Sequence, residues 1–149
     1  MIDVRITYNQ FSGLGIVANR NIYPNEVLIS DSVFVVSGLP KSHPLNDYLF
    51  CWEEKTEDKK EIECLSLGLS MLINHGTNPN CEVVTDKSNN TLKIVSLLHI
   101  NKDEELFFDY GIPLWFKERP SMGEELANSS GEYAPPNKPQ VETALKLDL

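Results

Sequence analysis

Three short segments of this 149-residue chain carry residue types suited to chemistry. They are Gly13-Leu14-Gly15, the run from Leu72 to Cys81, and the run from Glu104 to Gly111. The first leaves the backbone bare at two positions, as a tight turn or a close approach by a ligand requires. The second places an amide and an imidazole, Asn74 and His75, shortly before Pro79-Asn80. Taken alone it reads as a helix stop whose polar side chains satisfy backbone groups. The third ends an aromatic pair, Phe107-Phe108, with Tyr110 and a glycine turn. Taken alone it reads as a core strand with a half-buried tyrosine.

The elements that would position these segments are mostly short strands. Ile2 to Ile6 alternates apolar and polar residues, Ile16 to Ala18 and Glu26 to Ile29 are extended, and Ser32 to Val36 is β-branched and aromatic until Gly38 and Pro40 stop it. Ile62, Leu65, Leu69, Leu72 and Ile73 fall at helical spacing, with Glu61 and Glu63 suiting a helix start, and this predicts an amphipathic helix. A shorter helix is expected over Asn46 to Glu54, and a solvated connection over Lys55 to Lys60. Cys81 to Val84 and Leu92 to Val95 read as a hairpin turning at Asn89-Asn90, and Glu105 to Phe108 as a further strand. From Ser121 the apolar rhythm fades into Ser, Gly and Pro, so residues 1–120 are expected to form one domain and 121–149 a flexible or loosely docked tail. The class is mainly β with inserted helices, α+β.

Composition sets outer bounds. The length suits one core, and a hydrophobic fraction of 41% is a little low, as a polar tail explains. There is no run of about 20 apolar residues, and Met1 to Tyr8 lacks a basic start followed by an apolar block. The expectation is a soluble intracellular protein, cytoplasmic or nuclear, without membrane contact. Cys51, Cys64 and Cys81 are odd in number and widely spaced, which favours a reduced compartment and buried inert thiols over disulfides or a zinc site. The formal net charge of −9 argues against direct nucleic-acid binding and favours cationic partners, although solubility alone also explains it.

In their order and separations the three segments resemble the SET-domain lysine methyltransferases. That family reads G-x-G, then roughly N-H-S-x-x-P-N-C, then E-L-x-x-D-Y. The similarity runs over about residues 3–120. It is nearest in style to the minimal stand-alone SET proteins of large DNA viruses and bacteria, which share an Asp-Tyr-Leu-Phe element, here Asp47 to Phe50, and an aromatic cluster with Arg-Pro, here Trp115-Phe116 and Arg119-Pro120. The resemblance implies a β-clip-like SET fold with knot-like threading of the C-terminal motif beneath the loop carrying Asn74 and His75. It also implies methyl transfer from S-adenosylmethionine to a lysine of a basic protein, a histone tail among the candidates, and it allows a homodimer.

The chemistry such a site must perform is definable. A free lysine has a pKa near ~10.4, so about one in a thousand is neutral at pH 7.4. A dry aromatic channel disfavours the ammonium, and a phenol can orient the amine lone pair. By the resemblance Tyr110 is the catalytic hydroxyl, and Gly13, Leu14 and Gly15 admit the methionine part of the cofactor. Asn74 and His75 hold its ends, and Trp115 lies against adenine. Tyr48, Phe108 and Leu114 line the lysine channel, and a phenylalanine at 108 implies di- or trimethylation. No metal is implied. Two departures stand out: Gly76 replaces a small polar residue, and the tail has no cysteines for the zinc segment of some relatives, leaving Leu114-Trp115-Phe116 to close the site. Two alternatives remain. One is a SET fold that binds peptide or cofactor without catalysis, against which Asn74, His75 and Tyr110 argue. The other is an acidic interaction protein masking a basic partner.

Overall fold

The computed structural model describes residues 3–9, 13–40, 42–54, 56–57 and 61–111. Leu114, Trp115, the expected boundary near residue 120 and the tail lie outside them. Strands β1 (Val4–Asn9) and β2 (Gly13–Ala18) pair antiparallel, Val4 opposite Ala18 and Asn9 opposite Gly13. Strand β3 (Val27–Val36) is the spine of a five-stranded sheet ordered β4-β5-β3-β8-β7, where β4 is Leu49–Glu53, β5 Ile62–Ser66, β7 Cys81–Asp86 and β8 Thr91–Ser96. A third sheet joins only β6 (Asn74–His75) and β9 (Phe107–Phe108). The mainly β expectation holds, and so does the hairpin. Asn90 takes φ +51°, and the Asp86 carboxylate accepts the Asn89 N–H at 3.2 Å.

β3 serves two neighbours in succession. Val27 to Ser32 pair with β8, and Val33 to Val36 pair with β5. The sheet therefore swings about the middle of β3 and brings its two outer strands towards each other. Lys87, in the β7–β8 turn, meets Glu53 at the end of β4 at 3.2 Å. At the swing point Asp31 Oδ2 accepts from Ser66 Oγ (3.1 Å), Ser70 N (2.8 Å) and Ser70 Oγ (2.7 Å). A Cβ at Gly68 would collide with that carboxylate, so glycine is the residue that lets the turn pass it. Ile16, Ile22, Ile73, Leu92, Ile94, Ile100 and Leu106 fill the core beneath, all fully buried.

Two expected helices are strands instead. Residues 62–66 form β5, and only Leu69–Leu72 wind, as a 3-10 turn. The apolar spacing that suggests a helix also carries a period of two, since Cys64 and Ser66 are buried while Leu65 is partly exposed. Pairing with β3 on one side and β4 on the other supplies the backbone bonds that decide between the two readings. Asn46 to Glu54 likewise divides into a 3-10 turn, Pro44–Tyr48, capped when the His43 ring accepts the Leu45 N–H, and then β4. Of the three thiols expected to be buried, Cys64 and Cys81 are, whereas Cys51 is exposed on β4, whose outer edge faces no further strand among the described residues.

Burial pushes the Cys64 thiol up to about 11 and the Cys81 thiol up to about 12, from an ordinary value of 9.0. With the folded-state value raised, the stabilisation is complete below the unfolded thiol's pKa and is lost as pH rises through the folded one. The midpoint of thermal unfolding, followed by circular dichroism, should hold steady between about pH 7 and 8.5 and fall between about pH 9 and 11. A flat profile to pH 11 would show that the two thiols are not sequestered.

Candidate functional site

The three segments singled out in the sequence meet around β6 and β9. These strands run parallel, with Asn74 opposite Phe107 and His75 opposite Phe108. Two residues a side make a weak ladder, and a side chain reinforces it. Asn80 Nδ2 donates to the Glu105 carbonyl and Asn80 Oδ1 accepts the Phe107 N–H, both at 2.8 Å. The buried carboxamide thus mimics one more rung of sheet. Gly76 N donates to the Phe108 carbonyl at 3.2 Å, and a Cβ at residue 76 would stand 2.8 Å from Phe107 Cβ. The glycine that departs from the family pattern is therefore demanded by close packing against β9.

The glycine segment joins through β2. Leu106 N donates to the Ile16 carbonyl at 2.8 Å, Val17 bridges to Glu105, and Asn74 Nδ2 reaches the Leu14 carbonyl at 3.1 Å. Gly13 has φ +73°, where glycine is favoured. Gly13, Leu14 and Gly15 are thus brought beside Asn74 at a crossing of β2, β6 and β9, with His75 next along β6.

Tyr110 stands at the junction. Its hydroxyl donates to the Ile73 carbonyl at 3.0 Å, and its backbone N–H donates to His75 Nδ1 at 3.1 Å. The His75 ring lies edge-on to the phenol ring at 5.2 Å, and its side chain is only 6% exposed. Because Nδ1 accepts a hydrogen bond it carries no proton, so the neutral ring is protonated at Nε2. The Asp109 carboxylate, 3.8 Å from Nδ1, is accordingly not an ionic partner, and it accepts the Gly111 N–H at 2.9 Å instead. Burial pushes the Tyr110 phenol up to about 12, with a smaller opposing pull from His75 and a further rise from nearby Tyr48. Tyr110 therefore remains a neutral phenol throughout the physiological range.

Beside the phenol opens a cavity of about 440 Å³. Tyr48, Phe50, Ile73, Phe108 and Tyr110 line it, and none of the glycine-side residues does. Phe50 stacks on Phe108 at 5.7 Å, and Phe108 tilts against Tyr110 at 4.8 Å. Val83 and Thr85 of β7 line it together with Phe50 and Cys51 of β4, so both outer strands of the sheet contribute. Asp47, Glu54, Glu61, Glu63 and Asp109 also line the cavity, and no Lys or Arg does among the described residues.

Tyr48, Phe108 and Tyr110 line one cavity, whereas Leu114 and Trp115 lie outside the described residues. Sequence reasoning overlooked Asn80, Glu105 and the Ile73 carbonyl. The two side chains sit inside the recognised motifs, where the extra acid of Glu104-Glu105 and the asparagine after Pro79 were the available signals. A backbone carbonyl leaves no mark in the sequence. No helix among the described residues is long and apolar enough to cross a membrane.

Comparison with known proteins agrees with this geometry. The family described as SET domain matches residues 13–111. The histone-lysine N-methyltransferase of Schizosaccharomyces pombe specific for H3 lysine-37 is 33% identical over 92 residues, covering 61% of this chain. The chain spans 58% of that relative's length. Among solved structures, a Plasmodium falciparum protein designated a histone methyltransferase superposes with a TM-score of 0.59 at 26% identity, over 77% of this chain and 98% of the other. A Chaetomium thermophilum Polycomb Repressive Complex 2 structure gives a TM-score of 0.58 at 26% identity, over 72% of this chain and 15% of that one.

The Asn80 clamp generates a test. Asn80→Ala removes the partners of the Glu105 carbonyl and the Phe107 amide in a buried setting, and should cost roughly 2–4 kcal/mol. Chemical denaturation measures it, and a loss below about 0.5 kcal/mol would show that water replaces the carboxamide freely.

Proposed function

Because this chain belongs to the SET-domain family, we propose that it is a protein-lysine N-methyltransferase that uses S-adenosylmethionine. The observation carrying this reading is that a neutral, part-buried phenol, Tyr110, lines an aromatic cavity and contacts His75, the neighbour of Asn74, whose carboxamide reaches the glycine segment at Leu14. The polar groups there fit the cofactor. The Leu14 carbonyl and the Asn74 carboxamide oxygen suit a cationic amino acid, beside a backbone open at Gly13. When bound, the cofactor would supply an electrophilic methyl on positively charged sulfur, with the neutral thioether as its leaving group.

The protein's own part is selection and alignment. Carboxylates at the cavity draw in the lysine ammonium, and the rings of Tyr48, Phe50 and Phe108 disfavour its charge once inside. The proton leaves to solvent, because a phenol held near 12 does not act as a base at neutral pH. Tyr110 donates its own hydrogen to the Ile73 carbonyl, which leaves its oxygen to accept an amine N–H and aim the lone pair. Most of the acceleration comes from this positioning and from desolvation.

We propose a basic protein as substrate, a histone tail first, since the relatives are described as histone methyltransferases and the cavity is acidic. Leu114 and Trp115 are proposed to complete the channel and the adenine site. Phe108, lacking a hydroxyl that would anchor a water in the cavity, leaves room for di- or trimethylation.

Incubation with purified histones and labelled cofactor should label a lysine, and no labelling of histones or cell lysate would count against the proposal. Tyr110→Phe should retain the thermal midpoint and lower turnover by about 10²-fold or more. Turnover near wild type would remove Tyr110 from the mechanism. By mass spectrometry at saturating cofactor, the wild type should yield di- or trimethyl product, and Phe108→Tyr should shift it towards monomethyl. A wild type that stops at monomethyl would overturn the role of Phe108.

A further inference from the structure

Glu105 reaches beneath the glycine segment, where the site roles described above do not use it. Its Oε1 accepts Asn74 Nδ2 at 2.8 Å, and the same nitrogen donates to the Leu14 carbonyl at 3.1 Å. A carboxamide nitrogen carries two hydrogens, so one is directed to the first motif and one to the third. With both directed, the plane of the Asn74 amide is set and so is the heading of its oxygen. The carboxylate itself is firmly based. The Glu105 carbonyl accepts from Asn80 Nδ2 at 2.8 Å, and its backbone bridges to Val17. Room for it exists only because residue 15 has no side chain. A Cβ there would stand 2.5 Å from Glu105 Oε1 and 3.0 Å from Asn74 Nδ2.

We propose that Glu105 is a positioning residue for the methyl donor, orienting the Asn74 carboxamide through a carboxylate that occupies the space left open at Gly15. This rests on the methyltransferase reading. It differs from a merely structural role because the contact made is to the side chain of a proposed donor-binding residue, and removing it frees that side chain without breaking a strand.

Isothermal titration calorimetry of the full chain with S-adenosylmethionine, and separately with S-adenosylhomocysteine, tests the proposal alongside the thermal midpoint and the KM for a histone peptide. Glu105→Ala should weaken both ligands by about tenfold, the effect of one lost charge-assisted hydrogen bond, with the peptide KM and the midpoint little changed. Glu105→Gln keeps an oxygen acceptor and should restore most of the affinity. Gly15→Ala needs only to displace the flexible end of Glu105, so it should fold and yet bind weakly, and its effect should shrink in the Glu105→Ala background. Wild-type affinity in Glu105→Ala, equal losses in the Ala and Gln variants, or strictly additive losses in the double variant would each overturn the inference alone. No binding by the wild-type chain would overturn the methyltransferase reading and this inference with it.

Discussion

The site depends on four residues meeting two by two. Asn74 and His75 lie parallel to Phe107 and Phe108, and nearly everything chemical hangs from that pairing. A ladder so short is weak by itself, because each end frays and few bonds share the ordering cost. Asn80 compensates by engaging the Glu105 carbonyl and the Phe107 amide with one side chain. Full burial of Leu106 and Ile73 on either side anchors both segments in the core. The pairing places His75 where it receives the Tyr110 N–H, and that bond aims the phenol at the Ile73 carbonyl.

The two sides of the crossing differ in polarity, and each suits a different ligand. Towards β2, carbonyl, carboxamide and carboxylate oxygens converge. Towards β4 and β7, rings form the interior while carboxylates stand among the lining residues. A cation entering the second side is attracted first and desolvated afterwards. Those effects oppose each other for the ammonium, and the second prevails only where the rings are closest, around Phe108 and Tyr110.

Sequence reading picked out the segments that meet at β6 and β9 better than it assigned the elements between them, for physical reasons. Gly13, Asn74, His75 and Tyr110 are residue types with few interchangeable substitutes, so their order along the chain is informative. The helix expected over Ile62 to Ile73 fails because apolar residues at steps of three and four also satisfy strand alternation in part, and only the presence of β3 and β4 on both sides decides. The relevant partners are far away in sequence, so no local window contains them. Glu105 and Asn80 belong to the same class of omission. Each looks like an ordinary solvated residue until the strand it clamps is in place.

β3 has a consequence for how the molecule assembles. One half of this strand waits for β5 and the other for β8, while β2, paired with its neighbour β1, also meets the distant segment around Glu105 and Leu106. Beside the local pairings β1–β2, β4–β5 and β7–β8, those of β3 and of β6 with β9 join distant stretches of chain, and their loops must close before any reward is gained. A nascent chain that has emerged only as far as β3 holds an unpaired, β-branched spine, a surface prone to stick to other chains. Arrival of β5 covers one half of the spine and arrival of β8 the other, and only the arrival of β9 completes the junction at Asn74 and His75, so the sheet and the candidate site mature at separate moments of synthesis.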